Sequence, residues 1–492
     1  MSAEHPDRQP LDDARRVREG LLAVGYDADG VAELLGPVAQ RALARSETVP
    51  ARRATAGGSA LEQLVRLWLL QLPVPEEAVA EALPVEAALR LGLVARDGAS
   101  LRARLDVRPY DEGFLVVSDL GTGLDGEVSP LPADHVLGVG GASTSLAELT
   151  VRPPVGRALD LGTGCGVQAL HLSGHAREVV ATDVLPRAVR LARLTAALSG
   201  VELDVREGSW FAPVRGERFD LVVSNPPFVV GGTAGGGERT YRDGGEAGDA
   251  LCARLVREAP AHLTEGGWCQ LLANWVHRRG EDWRERVGGW LPEGCDAWAL
   301  QREVLDPAEY VSLWLHDAGD AAGPRYRDLY DAWLGALERD GVEGVGFGWV
   351  SLRRVDAAAP QRRVEDWPHA VEAPLGPHVL DAFGRWEWLR GHAADLLGQR
   401  LRVADGVVQE QVGPPGAEDP EHLVLRQQGG LRRAERVGTA AAGLVGACDG
   451  TVPLGVLVEA VAAVLDEDAE GLRASVLPVV RTLVADGTLV PA

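Results

Sequence analysis

The chain has 492 residues, a length that predicts roughly two to four domains, and its 46% hydrophobic and 25% charged content is that of a globular protein with a sizeable core. A net charge of −23 repels polyanions over the surface as a whole, which counts against broad nucleic-acid binding, and no apolar run approaches the roughly 18–20 residues that span a bilayer. The five cysteines are scattered and make no CxxC pair, which argues against a disulfide framework or a zinc site.

All 49 basic residues are arginine, as expected of a GC-rich coding bias. The opening Met1-Ser-Ala-Glu-His-Pro-Asp7 is polar and acidic, so it reads as neither a secretory signal nor a transit peptide, and a cytoplasmic protein is expected. His171 and His175 have the spacing of paired ligands, but Gly174 interrupts them and no third ligand is near; no metal is expected.

In chain order, residues 1–110 read as a helical domain. Its second half has winged-helix grammar: a helix from Leu61, a break at Leu72-Pro-Val-Pro75, helices over 76–83 and 85–91, then a hairpin turning at Asp97-Gly98. Strands and helices alternate from 111 to 355, which predicts a mostly parallel α/β sheet. Strands are expected to end at Leu159 and to cover 178–183, 201–207, 221–224, 266–273, 295–302 and 346–352, with helices at 186–198 and 249–259 and an inserted helical segment near 303–342. Residues 356–437 carry mixed patterning and no assignment. Residues 438–492 repeat the helix, turn, helix, helix grammar as a second winged-helix-like module. Seven acidic residues against two arginines there argue for packing or protein contact over DNA reading, while seven against six over 61–108 leave nucleic-acid binding open at the N-terminal module.

Two short pieces carry chemistry. Asp160-Leu-Gly-Thr-Gly-Cys-Gly166 follows an apolar strand and opens a helix. Glycine is needed where a strand turns tightly into a helix and the backbone must approach a ligand closely. Asp183, 17 residues past Gly166, ends the next strand, where a carboxylate can accept both hydroxyls of a ribose. The second piece is Asn225-Pro-Pro-Phe228 at the end of the strand Phe219–Ser224. An amide or exocyclic amino nitrogen is a poor nucleophile because its lone pair is delocalised. The Asn225 side-chain oxygen and the Pro226 carbonyl can accept its two N–H groups, favour a pyramidal nitrogen and free that lone pair. The prolines stiffen the corner, and Phe228 offers a face to a planar target.

The glycine motif with Asp183 resembles the S-adenosylmethionine site of class I methyltransferases, and Asn225-Pro-Pro-Phe228 resembles the signature of their N-methylating members. Within these the pair is most similar to release-factor glutamine methyltransferases of the HemK/PrmC type and to related RNA N-methyltransferases. The segment Tyr241–Asp249 resembles the glycine-rich stretch those enzymes carry after the motif. The resemblance covers roughly residues 135–275. It implies a Rossmann-like, mostly parallel seven-stranded sheet, here flanked by winged-helix-like modules. It also implies S-adenosylmethionine as cofactor, held by Asp160, Gly162, Thr163, Gly164, Gly166 and Asp183. The adenine would lie near Ser209, which stands where the family often has Asp, with Trp210 packing on the base. The methyl would pass in line to a nitrogen held at Asn225, Pro226, Pro227 and Phe228, with loop 231–249 closing over the substrate. A protein glutamine is the first substrate expectation, a ribosomal or transfer RNA base (guanine N2 or adenine N6) the second, and a small-molecule amine the third. A binding protein that keeps the fold as a scaffold is the reading outside enzymes.

Overall fold

A computed structural model describes residues 8–111, 113–126, 131–231, 248–317, 319, 323–415 and 420–492. They form two compact units, one of residues 1–147 with 153–367 and the other of 148–152 with 368–492.

The first unit is built on a sheet whose inner strands are short apolar runs. Ala158-Leu159, Val179-Val180-Ala181 and Leu221-Val222-Val223 are all buried, as strands covered on both faces must be. We number the strands β1 (Val155–Leu161), β2 (Ala176–Asp183), β3 (Asp204–Glu207), β4 (Phe219–Ser224), β5 (Leu263–Arg278), β6 (Cys295–Leu305), β7 (Val342–Arg354) and β8 (Arg362–Asp366). Helices α1 (Val167–Ser173), α2 (Pro186–Ser199), α3 (Ala250–Glu258) and α4 (Trp283–Gly288) connect them. The pair α5 (Pro307–Asp317) and α6 (Tyr326–Arg339) is inserted between β6 and β7. Helix α2 opens on a proline, whose missing N–H costs nothing there, and closes at Gly200 in the left-handed conformation.

Across the sheet the strands run β8-β6-β7-β5-β4-β1-β2-β3. The five from β5 to β3 are mutually parallel, and β7 is antiparallel to both β5 and β6. The sheet therefore has eight strands, not the expected seven. The eighth, β8, lies parallel to β6 at the edge, inside the stretch 356–437 that the sequence leaves unassigned. It is held mostly by polar contacts. The Gln361 N–H donates to Asp296 Oδ1 at 2.7 Å, Trp298 Nε1–H to Glu365 at 2.8 Å, and the Gln301 amide to Asp366 at 2.9 Å. Only Val364 joins the apolar cluster beneath.

The N-terminal helices share a core with helices α1 and α2. The helix Ala60–Trp68 starts on a capping box in which Ser59 and Glu62 each bond the other's backbone N–H. Strand Val74–Pro75 pairs with Ser100–Ala103, which pairs with Val94–Asp97 across the expected turn. The helix Val85–Leu91, the one a groove-reading winged helix would present, packs against the first helix, Arg8–Ala23. Arg90 donates to both oxygens of buried Asp13 at 2.8 Å and holds that carboxyl down at about 2. Buried residues of both elements run into one cluster with Val167 and Leu170 of α1 and Leu191 and Leu198 of α2.

In the second unit, the strands Val407–Val412, His422–Gln427 and Ala434–Val437 form one antiparallel sheet. The helices Thr439–Ala447, Leu454–Leu465 and Ala469–Asp486 pack around one apolar cluster. Strands Asp449–Pro453 and Leu489–Pro491 flank Arg400–Val403, so the strand between them comes from well upstream. Among the described residues of the chain, no helix is long and apolar enough to cross a membrane.

Candidate active site

Register brings the chemistry-bearing residues to one end of the sheet. Leu161 of β1 lies opposite Thr182 of β2 on one side and Ser224 of β4 on the other. Residues 162–166, Asp183 and Asn225 therefore all leave the carboxyl ends of neighbouring strands. The chain order reverses between β1 and β4, and open α/β sheets bind ligands outside the strand ends at such a switch point.

The glycine turn is braced from below. Asp160 is fully buried, and its Oδ2 accepts from Thr163 Oγ1 at 2.5 Å and from Ala169 N at 3.0 Å. Gly162 and Thr163 both donate their N–H to the Thr182 carbonyl at 2.9 Å. Asp160 and Thr163, two of the expected cofactor residues, thus hold the turn itself. Gly162, Gly164 and Gly166 all have positive φ, of 76°, 56° and 89°. A Cβ on Gly166 would meet Ala192 of α2 at 3.3 Å, so that glycine serves helix packing. A Cβ on Gly162 or Gly164 would meet no protein atom within 4 Å, which leaves a bare backbone ledge facing open space. Asp183 stands beside it, one oxygen accepting from Gly164 N and the other from Leu185 N, both at 2.9 Å. Each carboxylate oxygen keeps a further lone pair.

Burial pushes Asp160 up to about 7 from an ordinary 3.8. The folded state then binds a proton that the unfolded chain has released, so stability falls as pH rises from about 4 to about 7. Asp160→Asn should flatten that decline in melting temperature, measured without cofactor. Curves that stay parallel to wild type would contradict it.

Ser209 is exposed, and its carbonyl accepts from Ala212 N at 3.0 Å. Trp210 is half-buried with a left-handed φ of 49°, and the Arg254 guanidinium of α3 sits over its ring at 5.6 Å. Trp210 and Phe228 rest on the same apolar cluster as Leu159 and Leu161. Pro226 is buried, while Asn225, Pro227 and Phe228 are half-buried. Among the described residues nothing is hydrogen-bonded to the Asn225 side-chain amide. Of the loop expected to close over the substrate, residues 232–247 lie outside the described residues, and with them most of Tyr241–Asp249.

The inserted helices supply residues that the sequence reading did not single out. Tyr310 of α5 is buried, and its hydroxyl accepts from Val230 N at 2.8 Å, two residues beyond Phe228, and from the Asn274 amide at 3.3 Å. Trp333 of α6 donates to the Val230 carbonyl at 3.0 Å, and Trp314 meets Phe228 edge-on with centroids 6.2 Å apart. The signals available were Tyr310 and Trp314 at i,i+4 on one helix and a lone Asn274 inside an apolar strand. Tyr310→Phe leaves the buried Val230 N–H without its acceptor and should cost about 1–3 kcal/mol by chemical denaturation. Methyl transfer should slow while cofactor affinity holds; unchanged stability and rate would mean the insert does not support the corner.

The strand order β3-β2-β1-β4-β5-β7-β6, the glycine ledge and Asp183 set the context for the comparisons with known proteins. Residues 139–281 match the methyltransferase small domain family. This segment is a class I methyltransferase domain. Such domains use S-adenosylmethionine, and the ledge at Gly162 and Gly164 with Asp183 beside it fits that cofactor. Residues 23–104 and 381–491 match two domains of unknown function, DUF7059 and DUF7782. A release factor glutamine methyltransferase of Xylella fastidiosa is 38% identical over 130 residues, covering 24% of this chain and 47% of that protein. A ribosomal RNA small subunit methyltransferase C of Salmonella arizonae is 36% identical over 121 residues, 24% of this chain and 31% of that protein. A release factor glutamine methyltransferase of Deinococcus radiodurans is 41% identical over 120 residues, 23% of this chain and 43% of that protein. The chain spans less than half the length of these curated relatives. Among the described residues no group of three His, Cys, Asp or Glu is placed to hold a metal ion; His171 contacts the Tyr110 hydroxyl and His175 the Pro153 carbonyl.

Proposed function

We propose that the whole protein is a cytoplasmic S-adenosylmethionine-dependent N-methyltransferase acting on a planar amide or amino nitrogen, with a protein glutamine as first substrate. The observation that carries this reading is the position of Asn225. It leaves β4 beside the ledge that leaves β1, with an amide that no described residue engages and a stiff Pro-Pro corner. The cofactor supplies an electrophilic methyl group. Gly162 and Gly164 give its methionine end a close approach, Gly166 sets the helix behind them, and Asp183 takes the ribose hydroxyls. The Asn225 oxygen and the Pro226 carbonyl accept the two N–H groups of the target, which localises the nitrogen lone pair, and Phe228 packs on the planar group. No strongly basic group is required, because the nitrogen loses its proton after it has gained the methyl.

The glutamine reading is supported by the relatives from Xylella and Deinococcus and by the acidic composition. An RNA base is the second reading, supported by the relative from Salmonella. Transfer of a tritiated methyl group into cell lysate, followed by RNase or protease, separates them. Label lost to protease and kept after RNase is expected; label lost to RNase would transfer the conclusion to RNA. Absence of S-adenosylmethionine binding by calorimetry would overturn both.

A further inference from the structure

Helices α3 and α4 and the end of β5 border an open pocket of about 380 Å³ that the methyl-transfer site does not use. Three arginines line it: Arg257 on α3, Arg278 at the end of β5 and Arg286 on α4. Among the described residues, Arg286 is the one of the three with acidic partners. It forks onto Asp249, whose carboxylate also accepts from Val276 N at 2.9 Å, and Glu281 lies 3.7 Å from its other arm. Arg257 and Arg278 have no carboxylate within ion-pair distance among the described residues, and the buried Arg278 Nε has no hydrogen-bond partner. Among the described lining residues three guanidiniums face one carboxylate, Asp249, and the surplus positive charge favours a bound anion.

We propose that Arg257, Arg278 and Arg286 form a binding site for one phosphate group, carried either by an RNA strand or by a small molecule. Guanidinium forks match phosphate oxygens two at a time, and Asp249 fixes Arg286 in place for that role. Arg278 lies seven residues along β5 from Leu271, which pairs with Ser224 just before Asn225. The pocket is thus on the same, carboxyl-end side of the sheet as the reacting corner but remote from it. Binding energy from such a remote contact anchors a substrate without taking part in chemistry. This inference goes beyond the methyl-transfer reading and stands or falls without it.

The test is direct binding by the full chain. Anisotropy of an end-labelled short single-stranded RNA and calorimetry with inorganic phosphate would be run on wild type, Arg257→Gln and Arg278→Gln. Arg286 is left intact because its ion pair holds Asp249. Each variant is expected to weaken binding about tenfold or more, the size of a lost charged hydrogen bond, with S-adenosylmethionine affinity unchanged. If RNA is the source, the slope of log affinity against log salt becomes shallower by about 0.7 per arginine removed. Saturable binding of inorganic phosphate that the variants lose, without RNA binding, identifies a small-molecule source. Wild type binding neither probe, or both variants binding like wild type, overturns the site.

Discussion

Asn225→Ala is expected to lower the rate of methyl transfer by roughly two to three orders of magnitude, the usual loss when a group that stabilises developing charge is removed. Affinity for S-adenosylmethionine should stay within a factor of about two of wild type, well under the tenfold that 1.4 kcal/mol would give. The separation follows from geometry. Asn225 leaves β4, whereas the glycine ledge and Asp183 leave β1 and β2. No group of the ledge is hydrogen-bonded to the Asn225 amide, so truncating it breaks no contact of the cofactor site. Single-turnover rates with saturating cofactor, beside calorimetric titration, measure the two quantities apart. A large loss of cofactor affinity would show that Asn225 belongs to the cofactor site, and an unchanged rate would remove it from the chemistry.

Asp183→Ala should act in the opposite way, weakening S-adenosylmethionine by roughly 1–3 kcal/mol, or about 5- to 150-fold. Two losses combine. The ribose loses a charged acceptor, and the N–H groups of Gly164 and Leu185 lose the oxygens that fix the ledge. Asp183→Asn divides them, since it keeps one carbonyl oxygen for the backbone but no charge. An intermediate dissociation constant for Asn and a larger one for Ala are expected. Equal affinity in wild type and Ala would contradict the ribose assignment.

The inner strands were legible because a strand buried on both faces needs an unbroken apolar run, and Leu221-Val222-Val223 has no other use. The turn at Gly162–Gly166 was legible because its backbone conformation admits little but glycine. The functions of its neighbours were not. Asp160 reads in sequence like a ligand residue, yet its partners are a hydroxyl three residues on and an N–H nine residues on, contacts that appear only once the turn has closed. Strand β8, Arg-Arg-Val-Glu-Asp, has one apolar residue in five and no alternation. It is a strand because β6 offers an unpaired edge, a fact about another part of the chain. The pairing of Arg400–Val403 between Asp449–Pro453 and Leu489–Pro491 is non-local in the same way. Tyr310 was hidden for a related reason: its partners, Val230 and Asn274, are 80 and 36 residues away.

The outermost strands of the large sheet have a consequence for how copies of the protein meet. At one border stands β8 and at the other β3, Asp-Val-Arg-Glu, four residues with charges at three of them. An open border of unpaired N–H and carbonyl groups invites a strand from another molecule, and short, charged border strands are how natural sheets refuse one. Without β8 that border would be β6, eleven residues long and largely apolar through Leu300. The five residues of β8 therefore put a short, charged border where a long apolar one would stand, and their deletion should show first as turbidity at high concentration.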